Sequence, residues 1–317
     1  MGRRDVRDAR DVGIVHPGAM GARVAAQAVA AGARVWWVPE GRSAGTRRRA
    51  AEAGLRGAAD LTELAERCET VLSVCPPAAA LDVAASVAAA GFRGVYVDAN
   101  AVGPQRMGEI GALFAGSAVT LVDGGITGPP PRTTGTTRLY LSGEPDAVAA
   151  VSALFDGTLL TPHPLTGPVG RASALKLSFA AYNKISYALA AHASALADAH
   201  DVLDELRDLA AQALAGTPLA DPLRLATAGP RAWRWEPEMR EIAQACEEAG
   251  LPGDFARAAA RTFGRWDEHK DDRTVTGSSL ISGRTCGTSE APWPVKPAGR
   301  RCGAGPWGPA VRSRRGS

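Results

Sequence analysis

Through the first 165 residues, short apolar runs alternate with Ala-rich stretches long enough to form helices. The runs are Val12 to His16, Arg34 to Val38, Thr70 to Val74, Gly94 to Asp98, Val119 to Asp123, Arg138 to Ser142 and Leu159 to His163, each of strand length. Asp60 with Glu63 forms a capping box that opens one of the intervening helices. Strands separated by helices in this rhythm predict βαβ units and a mainly parallel sheet, hence an α/β architecture. Near residue 165 the pattern changes. From Arg171 to Ala215 there is neither Gly nor Pro, which predicts one long helix followed by another, with a break near Asp201. After Thr217 and Pro218 the helical pattern resumes to about residue 268, so the second half reads as an all-helical domain. Arg273 to Ser317 is rich in Gly, Pro, Ser and Arg and shows neither period. Such a composition buries too little apolar surface to offset its ordering entropy and predicts a disordered basic tail. The expected organisation is a flexible segment over 1–11, a sheet domain over 12–165, a helical domain over 166–272 and the tail over 273–317.

Of the 317 residues 45% are hydrophobic and 22% charged, a soluble globular composition. The formal charge of +3 is concentrated at the two ends, in Arg3, Arg4, Arg7 and Arg10 and in Arg300, Arg301, Arg312, Arg314 and Arg315. A near-neutral middle argues against a nucleic-acid partner. Cys68, Cys75, Cys246, Cys286 and Cys302 are odd in number and lack CxxC spacing, which predicts neither disulfide framework nor zinc site and fits a reducing cytoplasm. His163, His192, His200 and His269 show no ligand spacing, so no metal is expected. No apolar run follows the N-terminal arginines and none approaches membrane-spanning length, which predicts a cytoplasmic protein.

The stretch VGIVHPGAMGARVAAQA, residues 12–28, joins the first strand to the first helix. Gly18 and Gly21 sit at the junction, where small residues let the backbone approach a pyrophosphate and the helix N-terminus faces it. A tight turn at a strand end is the plain alternative. GIVHPGAMG resembles the loop of the β-hydroxyacid dehydrogenase superfamily, which includes 6-phosphogluconate dehydrogenase, 3-hydroxyisobutyrate dehydrogenase and the imine reductases. Members usually read strand-GxGxMG there. Gly18, Met20 and Gly21 match, whereas His16 takes the first glycine position and Pro17 departs as well, with a fixed φ that suits such a turn. The resemblance implies a Rossmann-like domain that binds a nicotinamide dinucleotide through His16, Pro17, Gly18, Ala19, Met20 and Gly21.

Cofactor choice is read after the second strand, where an acidic side chain bonds the NAD ribose and a basic one pairs with the NADP 2′-phosphate. In WWVPEGRSAGTRRRA, Glu40 argues for NAD. Arg42 and Ser43 resemble the Arg-Thr or Arg-Ser pair of NADP-using relatives, and Arg47 adds charge. Arg48 and Arg49 read as the solvated face of a helix. The balance predicts NADP, with Arg42 as phosphate ligand and NAD as the alternative. VLSVCPPAAALDV resembles the strand and Pro-containing loop that lines the nicotinamide ribose, placing Cys75 and Pro76 by the cofactor, although Cys75 equally fits an ordinary buried thiol. VYVDANAVGP fits the next strand and loop, with Asn100 near the nicotinamide.

VDGGITGPPP, residues 122–131, is first of all a loop after a strand. It resembles the family's D-A-P-V-S-G-G segment, in which small residues and a hydroxyl bind the substrate carboxylate. Thr127 stands for the serine, Gly128 matches, and Pro129 departs from glycine. Lys176, in GPVGRASALKLSFAAYNKISYA, lies six residues after Gly170 and matches the family's G-x-G-x-x-x-K spacing, with Ala172 for the second glycine. An amine among apolar neighbours is costly unless paired or neutral, and desolvation suits it to general acid/base work. A surface lysine snorkelling from the helix is the plain alternative. Lys176, Ala180, Asn183 and Tyr187 fall on one helical stripe. Relatives usually place Asn four residues after the lysine. Here that position is Ala180, so Asn183 or Lys184 takes the polar role and Tyr187 lines the same cleft. In RAWRWEPEMREIAQACEEAGLP, Met239 to Ile242 resembles the Lys-Asp-containing helix that reaches the active site in relatives. That brings in Arg240 and Trp235, although a Trp pair at this spacing is more often packing.

The resemblance implies an NAD(P)-dependent oxidoreductase, NADP-linked, that moves a hydride between nicotinamide and a small β-hydroxy acid-like substrate. Lys176 is then the general acid/base with Asn183 beside it, and the helical domains pair in a homodimer. One alternative is an imine reductase acting on C=N, with Tyr187 supplying the proton. The other is a cofactor-binding protein without catalysis, motivated by the departures at His16, Ala172 and Ala180. Lys176→Ala separates this last reading from the enzymes, which lose turnover and keep cofactor affinity.

Overall fold

The computed structural model describes residues 10–100, 102–272 and 274–281. Its strands are β1 (Asp11–Val15), β2 (Arg34–Trp37), β3 (Arg56–Gly57), β4 (Thr70–Ser73), β5 (Gly94–Asp98), β6 (Val119–Thr127), β7 (Thr137–Gly143) and β8 (Leu160–Pro164). They form one sheet in the order β3-β2-β1-β4-β5-β6-β7-β8. Pairing is parallel from β3 through β6, antiparallel between β6 and β7, and parallel again between β7 and β8. The order turns back between β1 and β4, where an open α/β sheet presents a crevice at the carboxyl ends of its strands.

Central strands are apolar on both faces, as covered parallel strands must be: Val12, Ile14, Val35, Val71, Leu72 and Val97 are all buried. Helices α1 (Ala19–Ala30), α2 (Ala44–Glu52) and α6 (Pro145–Ser152) close one face. Helices α3 (Leu61–Arg67), α4 (Ala80–Ala89) and α5 (Pro104–Leu113) close the other. Asp60 caps α3 by accepting from the Glu63 N–H at 2.8 Å. Glu63 reaches back to the Ala59 N–H at 2.6 Å, one residue before the cap. The edge strand β3 has no apolar residue and so left no hydrophobic signature in the sequence.

β6 runs to Thr127, past the expected end at Asp123, because β7 pairs with it from Val122 through Thr127. Gly124 and Gly125, expected in a loop, therefore lie within the strand. Glycine weakens a strand unless something must come close to its backbone. Here that is helix α7 (Arg171–Asp198): a Cβ on Gly125 would stand 2.7 Å from the Ala172 carbonyl oxygen and 3.3 Å from Lys176 Cβ.

The helical half comprises α7, α8 (Leu203–Ala213), α9 (Pro222–Ala226), α10 (Ala232–Glu248), α11 (Asp254–Gly264) and α12 (Gly277–Ile281). Asp201 adopts φ 57° between α7 and α8, a left-handed residue at the expected break. A core of small residues on α7, α10 and α11 closes around Met239, Phe263 and Trp266. The expectation of a structureless tail from residue 273 fails for its first part. Leu280 and Ile281 of α12 are buried in this same core, and the Trp266 Nε1–H donates to the Leu280 carbonyl. These two side chains supply the apolar burial that the tail's overall composition concealed. Residues 282–317, like 1–9, lie outside the described residues.

The sheet and the helical half are tied by a buried carboxylate. Asp123 on β6 accepts from the Gly170 and Ser173 N–H groups at 2.9 and 3.0 Å and from the Ser173 hydroxyl at 2.5 Å. It also accepts from the Ser142 hydroxyl, which in turn accepts from the Ala172 N–H. A side chain from the sheet thus satisfies the first turn of α7, where Gly170 at the N-cap has no side chain to do so. Among the described residues no helix is long and apolar enough to cross a membrane.

Candidate active site

Past β1 the chain turns through His16, at φ 68°. The Gly18 N–H donates to the His16 carbonyl at 2.7 Å, and a Cβ on Gly21 would stand 2.7 Å from that same oxygen. A left-handed backbone costs a non-glycine residue about 1–2 kcal/mol, so His16 holds at some cost the conformation a first glycine adopts freely. Pro17 is buried, Ala19 is exposed and Met20 packs against the core. Gly18 caps α1 without a side chain, leaving the first-turn N–H groups to an external acceptor. His16 Nδ1 is buried with no partner. Burial, then the nearby Arg42 guanidinium, lower the imidazole pKa from 6.5 and favour the neutral ring.

Beside this loop lies a pocket of about 190 Å³, walled by Val38, Leu61 and Val83 and lined also by His16 and Arg42. Glu40 is exposed and is not part of that lining. The Ser43 hydroxyl caps α2, accepting from the Thr46 N–H at 3.2 Å. An apolar slot, an orphaned imidazole nitrogen, a guanidinium and an uncapped helix terminus fit a dinucleotide: base in the slot, diphosphate on the terminus.

At the ends of β4 and β5 the Asn100 side chain is buried. Its carbonyl accepts from the Cys75 N–H at 2.6 Å, and its amide donates to Ser73 Oγ and Asp98 Oδ2. Asn100, expected near the nicotinamide, thereby joins the two loops that follow these strands. Burial pushes the Cys75 thiol up to about 11, which leaves it protonated and a poor nucleophile at neutral pH. Pro76 is exposed at the start of the next turn. Burial also raises Asp98, to about 7.

A cleft of about 600 Å³ opens between the end of β6 and helices α7 and α10, with Lys176, Thr127, Gly128 and Asn183 in its lining. Four residues expected to act together on substrate are thus brought to one cavity from two distant segments. Gly128 takes φ 101°, and a Cβ there would strike the Thr136 carbonyl oxygen at 2.1 Å. The Pro129 carbonyl accepts from the Thr137 hydroxyl at 2.6 Å, which braces the loop leading to β7. Burial lowers the Lys176 pKa from its ordinary 10.5, and Lys184 adds to this, while Glu238, Asp98 and Asp123 oppose it.

Three expected contributors lie elsewhere. Tyr187 stands about 16 Å along α7 from Lys176 at 1.5 Å per residue, beyond the end of the cleft, and stacks edge-on to Trp235 with centroids 5.4 Å apart. Trp235 packs into the helical core against Phe263. Arg240 is exposed, pairs with Glu236 one turn back on α10 and lines a separate depression with Arg106 and Glu241. Conversely, Glu238, Arg231 and Arg138 line the cleft without having been singled out in the sequence. Glu238 forms a half-buried ion pair with Lys184. Trp235 backs this wall, with Lys184 Nζ and the Arg231 guanidinium 5.6 and 5.5 Å from its ring centre. Only the approach of α7 to α10 makes these charges neighbours.

A doubly covered α/β sheet with a glycine loop at its switch point, followed by a helical domain that brings a lysine to the strand ends, defines a dinucleotide-dependent two-domain protein. Residues 11–158 match the NAD binding domain of 6-phosphogluconate dehydrogenase, and residues 197–266 match a domain of unknown function, DUF1932. The 3-hydroxyisobutyrate dehydrogenase of Mycobacterium tuberculosis, solved with L-serine, is similar at 16% identity and a TM-score of 0.67, over 86% of this chain and 98% of that one. A conserved protein of unknown function described as structurally similar to 3-hydroxyacid dehydrogenases shares 23% identity at a TM-score of 0.65, over 81% and 97%. A reductive aminase from Aspergillus terreus, solved with NADPH and ethyl levulinate, shares 20% at 0.53, over 86% and 98%. No curated protein sequence matches the chain. The chain therefore carries an NAD-binding domain of the 6-phosphogluconate dehydrogenase type and shares the two-part fold of these hydroxyacid dehydrogenase-like structures.

Proposed function

We propose that the protein is an NADP-linked oxidoreductase acting on a small β-hydroxy acid or its keto counterpart in the cleft at Lys176. The observation that carries this reading is Lys176 itself, whose Cβ packs over Gly125 of β6 and whose side chain lines the cavity that Thr127 and Gly128 also line. When bound, the nicotinamide supplies the hydride acceptor or donor. Thr127 and the Gly128 backbone hold the substrate carboxylate, Lys176 takes the proton of the substrate hydroxyl, and Asn183 orients that hydroxyl. Desolvation supports this role, since it favours the neutral amine a general base requires. Arg42, in the lining of the dinucleotide pocket where Glu40 is not, supports NADP over NAD.

A homodimer is proposed with it. Leu175, Phe179, Tyr182, Leu189 and Leu196 are 40%, 57%, 81%, 65% and 61% exposed along α7, a seam with heptad-like spacing. Phe179 also lines the cleft, so a second copy on this face would help close it. The reductase reading on C=N remains the alternative, with a donor other than Tyr187, because Tyr187 lies outside the cleft. Fluorescence titration of the full chain with NADPH and, separately, NADH tests the proposal. Saturation at lower NADPH concentration, weakened in Arg42→Ala, is expected. Preference for NADH would overturn the NADP assignment, and binding of neither would overturn the oxidoreductase reading.

A further inference from the structure

Arg23 on α1, Arg48 and Arg49 on α2, and Arg132 in the loop from β6 to β7 line one crevice of about 640 Å³. Glu52 is the single carboxylate in its lining. None of the four arginines is in an ion pair among the described residues. Arg49 donates to the Thr46 hydroxyl, but its Nε is buried without an acceptor. The floor is made of alanines, Ala22 and Ala26 of α1 and Ala53 after α2, so no side chain fills the space. In the sequence Arg48 and Arg49 read as a solvated helix face. Arg23, Arg48 and Arg132 are indeed exposed and Arg49 is half-buried, but the four come from three distant segments to line one concavity, where an anion would relieve the accumulated positive charge.

We infer that this crevice is a binding site for a phosphate-bearing anion distinct from the nicotinamide cofactor. Guanidinium forks match phosphate oxygens in pairs, and the volume is in the range of small-molecule sites. The crevice shares no residue with the pocket at His16 and Arg42, which separates it from the cofactor's base and 2′-phosphate, and it meets the dinucleotide loop only at Ala19, on the first turn of α1. The loop that presents Arg132 is braced: Gly128 and Gly135 take positive φ, and the Thr136 hydroxyl donates to the Thr133 carbonyl. That loop also lines the Lys176 cleft through Gly128, Pro129, Gly135 and Thr136, so an occupant of the crevice rests on a wall of the catalytic cavity.

The test is calorimetric titration of the full chain with sodium tripolyphosphate, with and without saturating NADPH, on wild type, Arg48→Gln, Arg132→Gln and the control Arg42→Gln. The expected result is one saturable site that NADPH leaves in place. Its Kd rises about tenfold or more in Arg48→Gln and Arg132→Gln and is unchanged in Arg42→Gln. Absence of saturable binding, wild-type affinity in Arg48→Gln and Arg132→Gln, or displacement by NADPH would each overturn the inference. The last would assign the arginines to the dinucleotide's own phosphates. The tripolyphosphate arm without NADPH stays readable even if the oxidoreductase reading fails.

Discussion

Replacing Asp123 by asparagine tests the claim that one carboxylate docks the helical half onto the sheet. Asp123 is fully buried and is an acceptor in all four of its hydrogen bonds, three on one oxygen and one on the other. An asparagine carbonyl can keep the three bonds from Ser142, Gly170 and Ser173 N–H. Its NH₂ then faces the Ser173 hydroxyl, which must rotate to accept. Hydrogen bonds to a charged group contribute about 1.5–3 kcal/mol and neutral ones about 1 kcal/mol, and the charge at the α7 N-terminus adds a few tenths to 1 kcal/mol. Because such bonds share one acceptor and do not add, a loss of about 2–3 kcal/mol is expected. The assay is urea unfolding followed by tryptophan fluorescence, with Trp36 and Trp37 in the sheet and Trp233, Trp235 and Trp266 in the helical half. NADPH affinity should hold, because the glycine loop is untouched. Turnover should fall, because Lys176 follows Ala172 by one helical turn. A variant within about 0.5 kcal/mol of wild type, the range of neutral surface changes, would refute the docking role.

Three further outcomes follow from the same geometry. Burial raises Asp98 from 3.8 to about 7, so the folded chain binds more protons than the unfolded one between those values. Its contribution to stability is complete below 3.8 and is lost as pH rises through about 7; denaturation midpoints measured across that window should flatten in Asp98→Asn. Since burial lowers Lys176 below 10.5, oxidation should gain rate with pH and reach its plateau below that value, as the neutral amine accumulates. Lys176→Met should remove this limb and about 10²–10⁴-fold of the rate without altering NADPH affinity, and an unchanged profile would exclude Lys176 as the base. Tyr182→Glu with Leu189→Glu should convert a dimer to a monomer by light scattering. A wild-type monomer, or a dimer indifferent to the pair, would exclude the α7 seam.

Local chemistry was legible along the chain because it is written at short range. Alternation of apolar runs with Ala-rich stretches determined the parallel sheet, the absence of Gly and Pro from 171 to 215 determined the long helices, and Asp60 with Glu63 determined a cap. Gly18, Gly21 and Lys176 stood out because backbone approach and an amine in apolar surroundings are costs readable from neighbours in sequence. What tertiary structure decided involves partners far apart in the chain. The extension of β6 through Gly124 and Gly125 depends on α7 pressing against it, and the capture of that helix by Asp123 joins residues about fifty positions apart. The withdrawal of Tyr187 and Trp235 into the core, the outward turn of Arg240 and the pairing of Lys184 with Glu238 depend on how α7 meets α10. The burial of Leu280 and Ile281 depends on the space left beside α7 and α9. Periodicity states which face of an element is apolar; which other element covers that face, and which charges meet across the gap, is decided by packing alone.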